Sequence, residues 1–169
     1  MKNILKNKKG FTLVELLLYI AIVGVLVGSV GATFLLYSNG KTKAKVIADV
    51  EYSGNYTSRL IEQTIRDASS IVSPATSTAS GTMSLAMASS TLNPTVFKVI
   101  SNRLYITEGV GSAIPLTPAL YTISSSTFIN SSKPNSSGSV SYSFTMGNIS
   151  NNNNFSYQQT FYGSATIRK

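Results

Sequence analysis

Residues 8–37 read KKGFTLVELLLYIAIVGVLVGSVGATFLLY, a lysine-rich start followed by a long apolar run. From Leu16 to Tyr37 no side chain is charged. At about 1.5 Å of rise per residue, an α-helix of that length crosses roughly the hydrocarbon core of a bilayer. Lysines stand on both sides: Lys2, Lys6, Lys8 and Lys9 before, Lys41, Lys43 and Lys45 after. No acid lies in the first group, whereas Asp49 and Glu51 follow the second. That asymmetry favours a cytoplasmic N-terminus, with the C-terminal part outside the cytoplasm.

Three readings compete for the segment. A plain membrane anchor is the simplest. A secretory signal peptide cut after Ala32 would use Val30-Gly31-Ala32, but its apolar run exceeds the usual h-region of about 7–15 residues. Both leave Glu15 without a purpose. A carboxylate in an apolar helix costs about 2.5–3.5 kcal/mol at the bilayer centre, and less near the end, where the side chain can snorkel. A cationic partner inside a membrane or a polymer, such as a free amine on Phe11 of another copy, would give Glu15 a task.

The run Lys8-Lys9-Gly10-Phe11-Thr12-Leu13-Val14-Glu15-Leu16-Leu17 resembles the cleavage and methylation signal of type IV prepilins and pseudopilins. The basic leader, Gly, Phe, Glu and long apolar run occur in that order over about 30 residues. The resemblance implies cutting by a prepilin peptidase between Gly10 and Phe11 and methylation of the Phe11 amine. It implies that Glu15 pairs with the amine of a neighbouring subunit during assembly. The implied partners are other pilin or pseudopilin subunits, the peptidase, the assembly machinery, and membrane lipid before assembly. Two departures stand out. Ala32 occupies the place where major pilins often carry Pro, so Gly24, Gly28 and Gly31 would supply any flexibility. The chain has no Cys, so it lacks the C-terminal disulfide loop of many pilins.

Composition narrows the chemistry. Among 169 residues there is no His, Cys or Trp. This removes the commonest general base, the commonest metal ligand and any thiolate chemistry. The net charge of +8 suggests an acidic partner, but half of it comes from the four leader lysines. Residues 68–169 hold only Lys98, Arg103, Glu108, Lys133, Arg168 and Lys169 as charged groups and are rich in Ser, Thr and Asn. No clustered basic face is visible there, so nucleic acid is not an expected partner. Lys98 and Lys133 are the candidates for a Ser–Lys catalytic pair, and no motif joins them to a Ser. Neither a catalytic residue, a metal nor a cofactor is expected.

Residues 41–72 read as an amphipathic helix. Val46, Ile47, Val50, Leu60, Ile61, Ile65 and Ala68 recur at spacings of three and four. Glu62 and Arg66 form an i,i+4 pair. Asn39-Gly40 and residues 53–58 are soft points; if both are bridged, one helix of about 90 Å runs over 11–70. Pro74 ends it, and 73–82 read as a loop. Strands are expected at 95–100, 103–107, 119–124, 126–130, 139–146 and 155–167. Asn151–Asn154 reads as an exposed loop tip, and the aromatic residues of the strands as core.

The expected fold is α+β. A long N-terminal helix, membrane-spanning in its first half, packs against a C-terminal antiparallel sheet domain. The expected division is a leader over 1–10, a transmembrane or filament-core helix over 11–37, the amphipathic part over 38–72 and a β-rich extracytoplasmic domain over 73–169. The strands from Val96 to Asn130 also resemble, more weakly, minor pilins and pseudopilins of the W/J type. The expected role is that of a filament subunit, a minor pilin first, with major pilin, secretion pseudopilin and competence pseudopilin as the rival roles. A monomeric anchored or secreted surface-binding protein is the alternative from another class.

Overall fold

A computed structural model describes residues 10–148 and 156–168. The leader residues 1–9, the Asn151–Asn154 run and Phe155 lie outside the described residues. The chain divides into two compact units, Met1–Lys41 and Thr42–Lys169. One helix, α1 (Leu13–Asp67), contributes to both.

In the first unit the described residues 11–38 are all exposed. The large apolar side chains from Leu13 to Tyr37 are 49–75 % exposed, a surface that water does not favour.

The second unit is built around the amphipathic part of α1. Val50, Gly54, Thr57, Ile61 and Ile65 are buried, at steps of four, three, four and four, one stripe of a 3.6-residue helix. The poor helix formers at 53–58 do not break α1. Gly54 is there because the Phe161 ring packs on the helix backbone, where a Cβ would overlap it. Leu60, expected on the buried face, is only half-buried beside Ile61.

Helix α1 ends at Asp67, five residues earlier than the periodicity suggests. Ala68–Ser73 continues as strand β1. Ala68 is buried as expected, but as a strand residue. Serines and β-branched residues there resist the helix, and pairing with β3 (Thr82–Met87) offers their backbone an alternative. The expected loop over 73–82 contains a short strand, β2 (Ala79–Ser80).

The expected antiparallel domain is two sheets. One has the order β1-β3-β4-β5-β6, with β4 at Thr95–Ile100, β5 at Arg103–Glu108 and β6 at Ile114–Pro115. The other runs β2-β7-β8-β9, with β7 at Thr122–Asn130, β8 at Ser139–Asn148 and β9 at Tyr157–Thr166. All strand pairs in both sheets are antiparallel. The hairpin β4–β5 turns at Ser101-Asn102, both with positive φ.

Several strands differ from expectation, and β5, β8 and β9 do so by one or two residues at an end. Strand β3 has no expected counterpart, because Met, Leu, Ala and Ser are weak strand formers; alternation buries its Met83 and Leu85. The segments 119–124 and 126–130 are one strand, β7, with an irregularity between Ile123 and Ser125 that absorbs the serine run. Residues 119–121 precede it as a turn. Ile114–Pro115, outside every expected strand, forms the edge strand β6, where proline is tolerated.

The core joins both sheets and the helix: Ile61 and Ile65 from α1, Leu85 and Phe97 from the first sheet, Phe128 and Phe144 from the second. The Phe97 and Phe128 rings stand 6.5 Å apart between the sheets. Tyr142 and Phe144 share the inward face, stacked at 6.3 Å, and Phe161 stacks on Phe144 at 5.2 Å. The outward face of β7–β8–β9 carries rows such as Ser125–Thr145–Thr160 and Thr127–Ser143–Tyr162. It places the uncharged polar residues of this half on the solvent side.

Candidate functional site

The N-terminal turn of α1 holds the residues singled out from the sequence. Gly10 and Phe11 are exposed and lie just before the helix. Thr12 is the residue at which helical bonding begins: its carbonyl accepts from the Leu16 N–H at 3.2 Å. Its hydroxyl oxygen accepts from the Glu15 N–H at 3.3 Å. This is N-capping, which satisfies one of the donors that a helix start leaves free. Thr12-Leu13-Val14-Glu15 is a T-x-x-E capping sequence, with Glu15 in the first turn, where the helix dipole favours a negative charge. Thr12 therefore belongs with Glu15. The signal for it was present in the sequence as the three-residue spacing.

Glu15 has no cation within salt-bridge distance among the described residues. Its carboxylate is an exposed negative group at the start of an apolar helix, chemically able to bind an ammonium group brought by another molecule. The Phe11 ring meets Tyr19 edge-on at 5.9 Å, so Phe11 is not simply trailing from the helix. Beyond this turn, one 18-residue window of α1 has a mean hydropathy of 2.5, and none of it is buried in the structure. Shallow apolar grooves run along it, one lined by Ser29, Val30, Thr33, Phe34 and Tyr37 and another by Ala21, Ile22, Val25 and Leu26. Grooves between side chains of this kind are what a second helix fills.

The acids of the second unit do not converge. Among the described residues no group of three metal-ligating side chains occurs. Three helix carboxylates serve instead as acceptors for tyrosines of the β half. Tyr121 donates to Asp49 at 3.2 Å, Tyr157 to Glu51 at 3.4 Å and Tyr142 to Glu62 at 3.1 Å. Tyr142 also donates to the Ser58 carbonyl at 3.2 Å. It reaches the helix by passing under Gly163, where a Cβ would collide with it. Burial, reinforced by the Glu62 carboxylate, pushes the Tyr142 hydroxyl up to about 12. Burial first and the neighbouring acid second also raise Tyr121 (with Asp49) and Tyr157 (with Glu51). The expected Glu62–Arg66 pair is present at 3.0 Å. Lys98 is exposed on β4 and Lys133 lies in an exposed turn.

The family model of the prokaryotic N-terminal methylation motif matches residues 5–31. Those residues thus carry a signal of the type IV prepilin and pseudopilin kind, and with the apolar helix they fit a membrane-anchored chain. No curated protein and no solved structure matches the chain. The resemblance of the C-terminal strands to W/J-type pilins is therefore not supported by these comparisons.

Proposed function

We propose that this chain is a subunit of a type IV pilus or pseudopilus, and a minor rather than a major component. In this reading a prepilin peptidase cuts between Gly10 and Phe11 and the new Phe11 amine is methylated. The subunit waits as a single-pass membrane protein, with its N-terminus in the cytoplasm and residues 42–169 outside. It then enters a filament with other subunits through the assembly machinery. Its work is assembly, not turnover.

The observation that supports the reading is the methylation-motif match followed by an apolar stretch of α1, Leu13 to Tyr37, whose large side chains are all exposed. Covering those side chains with lipid or with neighbouring helices stabilises the assembly on the order of tens of kcal/mol, at about 1.5–3 kcal/mol for each fully buried side chain. Lipid and neighbouring helices are equally apolar, so transfer between them requires a specific attraction. Glu15 supplies it: paired with a methylated, still cationic Phe11 amine of a neighbour, it loses the cost of standing alone in apolar surroundings.

Mass spectrometry of the mature N-terminus from the native host tests the first step. A chain beginning at Phe11 with one added methyl is expected. One beginning at Thr33 would make this a secreted protein and remove the core helix. Glu15→Ala tests the second step. It should leave the protein in the membrane and abolish its recovery in sheared filaments; normal recovery would sink the docking role and favour an anchored surface-binding protein.

A further inference from the structure

Three of the chain's four arginines meet at one place in the second unit. Arg59 and Arg66 project from α1 at a seven-residue spacing, on one helix face with Gln63 between them. Arg168 arrives from the end of β9, 102 residues beyond Arg66, and its backbone N–H donates to the Arg66 carbonyl at 3.0 Å. Together with Glu62, Gln63 and Asp67 they line a depression of about 410 Å³. The fourth, Arg103, is occupied elsewhere: its Nε and Nη2 donate to the Thr117 carbonyl at 3.1 and 2.7 Å.

Three guanidinium groups against two carboxylates leave the lining with a net positive charge of one, and the acids leave two of the three forks unpaired. Both oxygens of Glu62 are engaged, Oε2 by Arg66 and Oε1 by the Tyr142 hydroxyl. Asp67 lies within salt-bridge distance of no cation among the described residues. The guanidinium groups of Arg59 and Arg168 have no hydrogen-bond or ion-pair partner among the described residues. Two unpaired forks and one half-used fork thus line the same depression from two different elements.

We infer that this depression binds a phosphate group. A planar carboxylate is satisfied by one guanidinium fork. A tetrahedral phosphate presents oxygens in several directions, which suits forks arriving from a helix and from a strand end. The depression leaves room for a substituent, so the phosphate is either free or part of a lipid headgroup. This inference stands on residues apart from the N-terminal motif and survives if the filament reading fails.

The test uses the full chain in phosphatidylcholine nanodiscs, with NMR of backbone amides and arginine Nε–Hε groups. Inorganic phosphate, titrated at constant ionic strength with chloride, should shift Arg59, Arg168 and the amides of Gln63 and Asp67 saturably and leave Arg103 in place. R59Q/R168Q should weaken binding about 10-fold or more at an unchanged melting temperature. R59K/R168K should fall between, because it keeps the charge and loses the fork. Phosphatidylglycerol discs without phosphate identify the source: the same signals move there if a headgroup is the ligand. A non-saturable shift, an equal shift at Arg103, or an R59Q/R168Q variant that binds as the parent does would overturn the site, as would the absence of a shift in both arms.

Discussion

Gly54→Ala sets two effects of similar size against each other at one atom. In an isolated helix the change stabilises by about 1 kcal/mol, because glycine is the poorer helix former. Here Gly54 is buried, and the added Cβ would fall within the Phe161 ring. Phe161 cannot simply swing aside: it is 9 % exposed and stacked on Phe144 at 5.2 Å, which is itself fully buried. Overpacking of a core that cannot relax costs about 1–3 kcal/mol, and the pinned ring puts this site in the upper half of that range. The net expectation is a destabilisation of about 1–2 kcal/mol. Thermal unfolding of the full chain in uncharged detergent, followed by near-ultraviolet circular dichroism, measures it. A double-mutant cycle with Phe161→Leu localises the effect, since the smaller side chain makes room for the Cβ. A coupling of about 0.5–3 kcal/mol between the two changes is expected for residues in direct contact. A Gly54→Ala variant more stable than the parent, with no coupling to Phe161→Leu, would refute the close packing of β9 on the helix.

The remaining predictions concern pH and the helix start. Tyr142 titrates near 10.0 when unfolded and at about 12 in the fold, chiefly through burial. The folded state therefore holds its proton after the unfolded state has lost it. Its contribution is complete below about pH 10 and is lost as pH rises through about 12, a fall of about 3 kcal/mol at 1.36 kcal/mol per unit. Alkaline unfolding curves of the parent and of Tyr142→Phe should converge in slope outside that window and differ inside it; parallel curves throughout would contradict the assignment. Thr12→Val removes the cap hydroxyl and should weaken the first turn by about 1 kcal/mol. Hydrogen exchange at the Glu15 amide should then quicken about fivefold, and an unchanged rate would show that the cap contributes nothing.

Much of the fold could be read from periodicity alone. The stripe through Val50, Ile61 and Ile65 and the alternation in β4, β5 and β8 are local properties, set by how side chains project from helix and strand. What escaped reading was set by distant partners. β3 was hidden because its residues have little strand preference of their own; pairing with β1 and β4 makes it a strand. Residues 68–72 continue a helical apolar pattern, yet the ladder to β3 claims their backbone. The glycine at 54 looked like a break and is a contact, which only the position of Phe161 reveals.

The same division runs through the functional residues. The N-terminal element is legible along the chain: the motif over 5–31, the uncharged run after Glu15 and the flanking lysines are contiguous, and their chemistry needs no fold to be recognised. Thr12 belongs to that group, since capping acts over three residues. The partners of the carboxylates emerge on folding, where tyrosines from 70 or more residues away reach Asp49, Glu51 and Glu62. Folding alone brought Arg168 to Arg59 and Arg66. Charge counted along a chain is a one-dimensional quantity. Attraction falls with distance in space, so a cluster assembled from a helix and a strand end has no signature until the chain has folded.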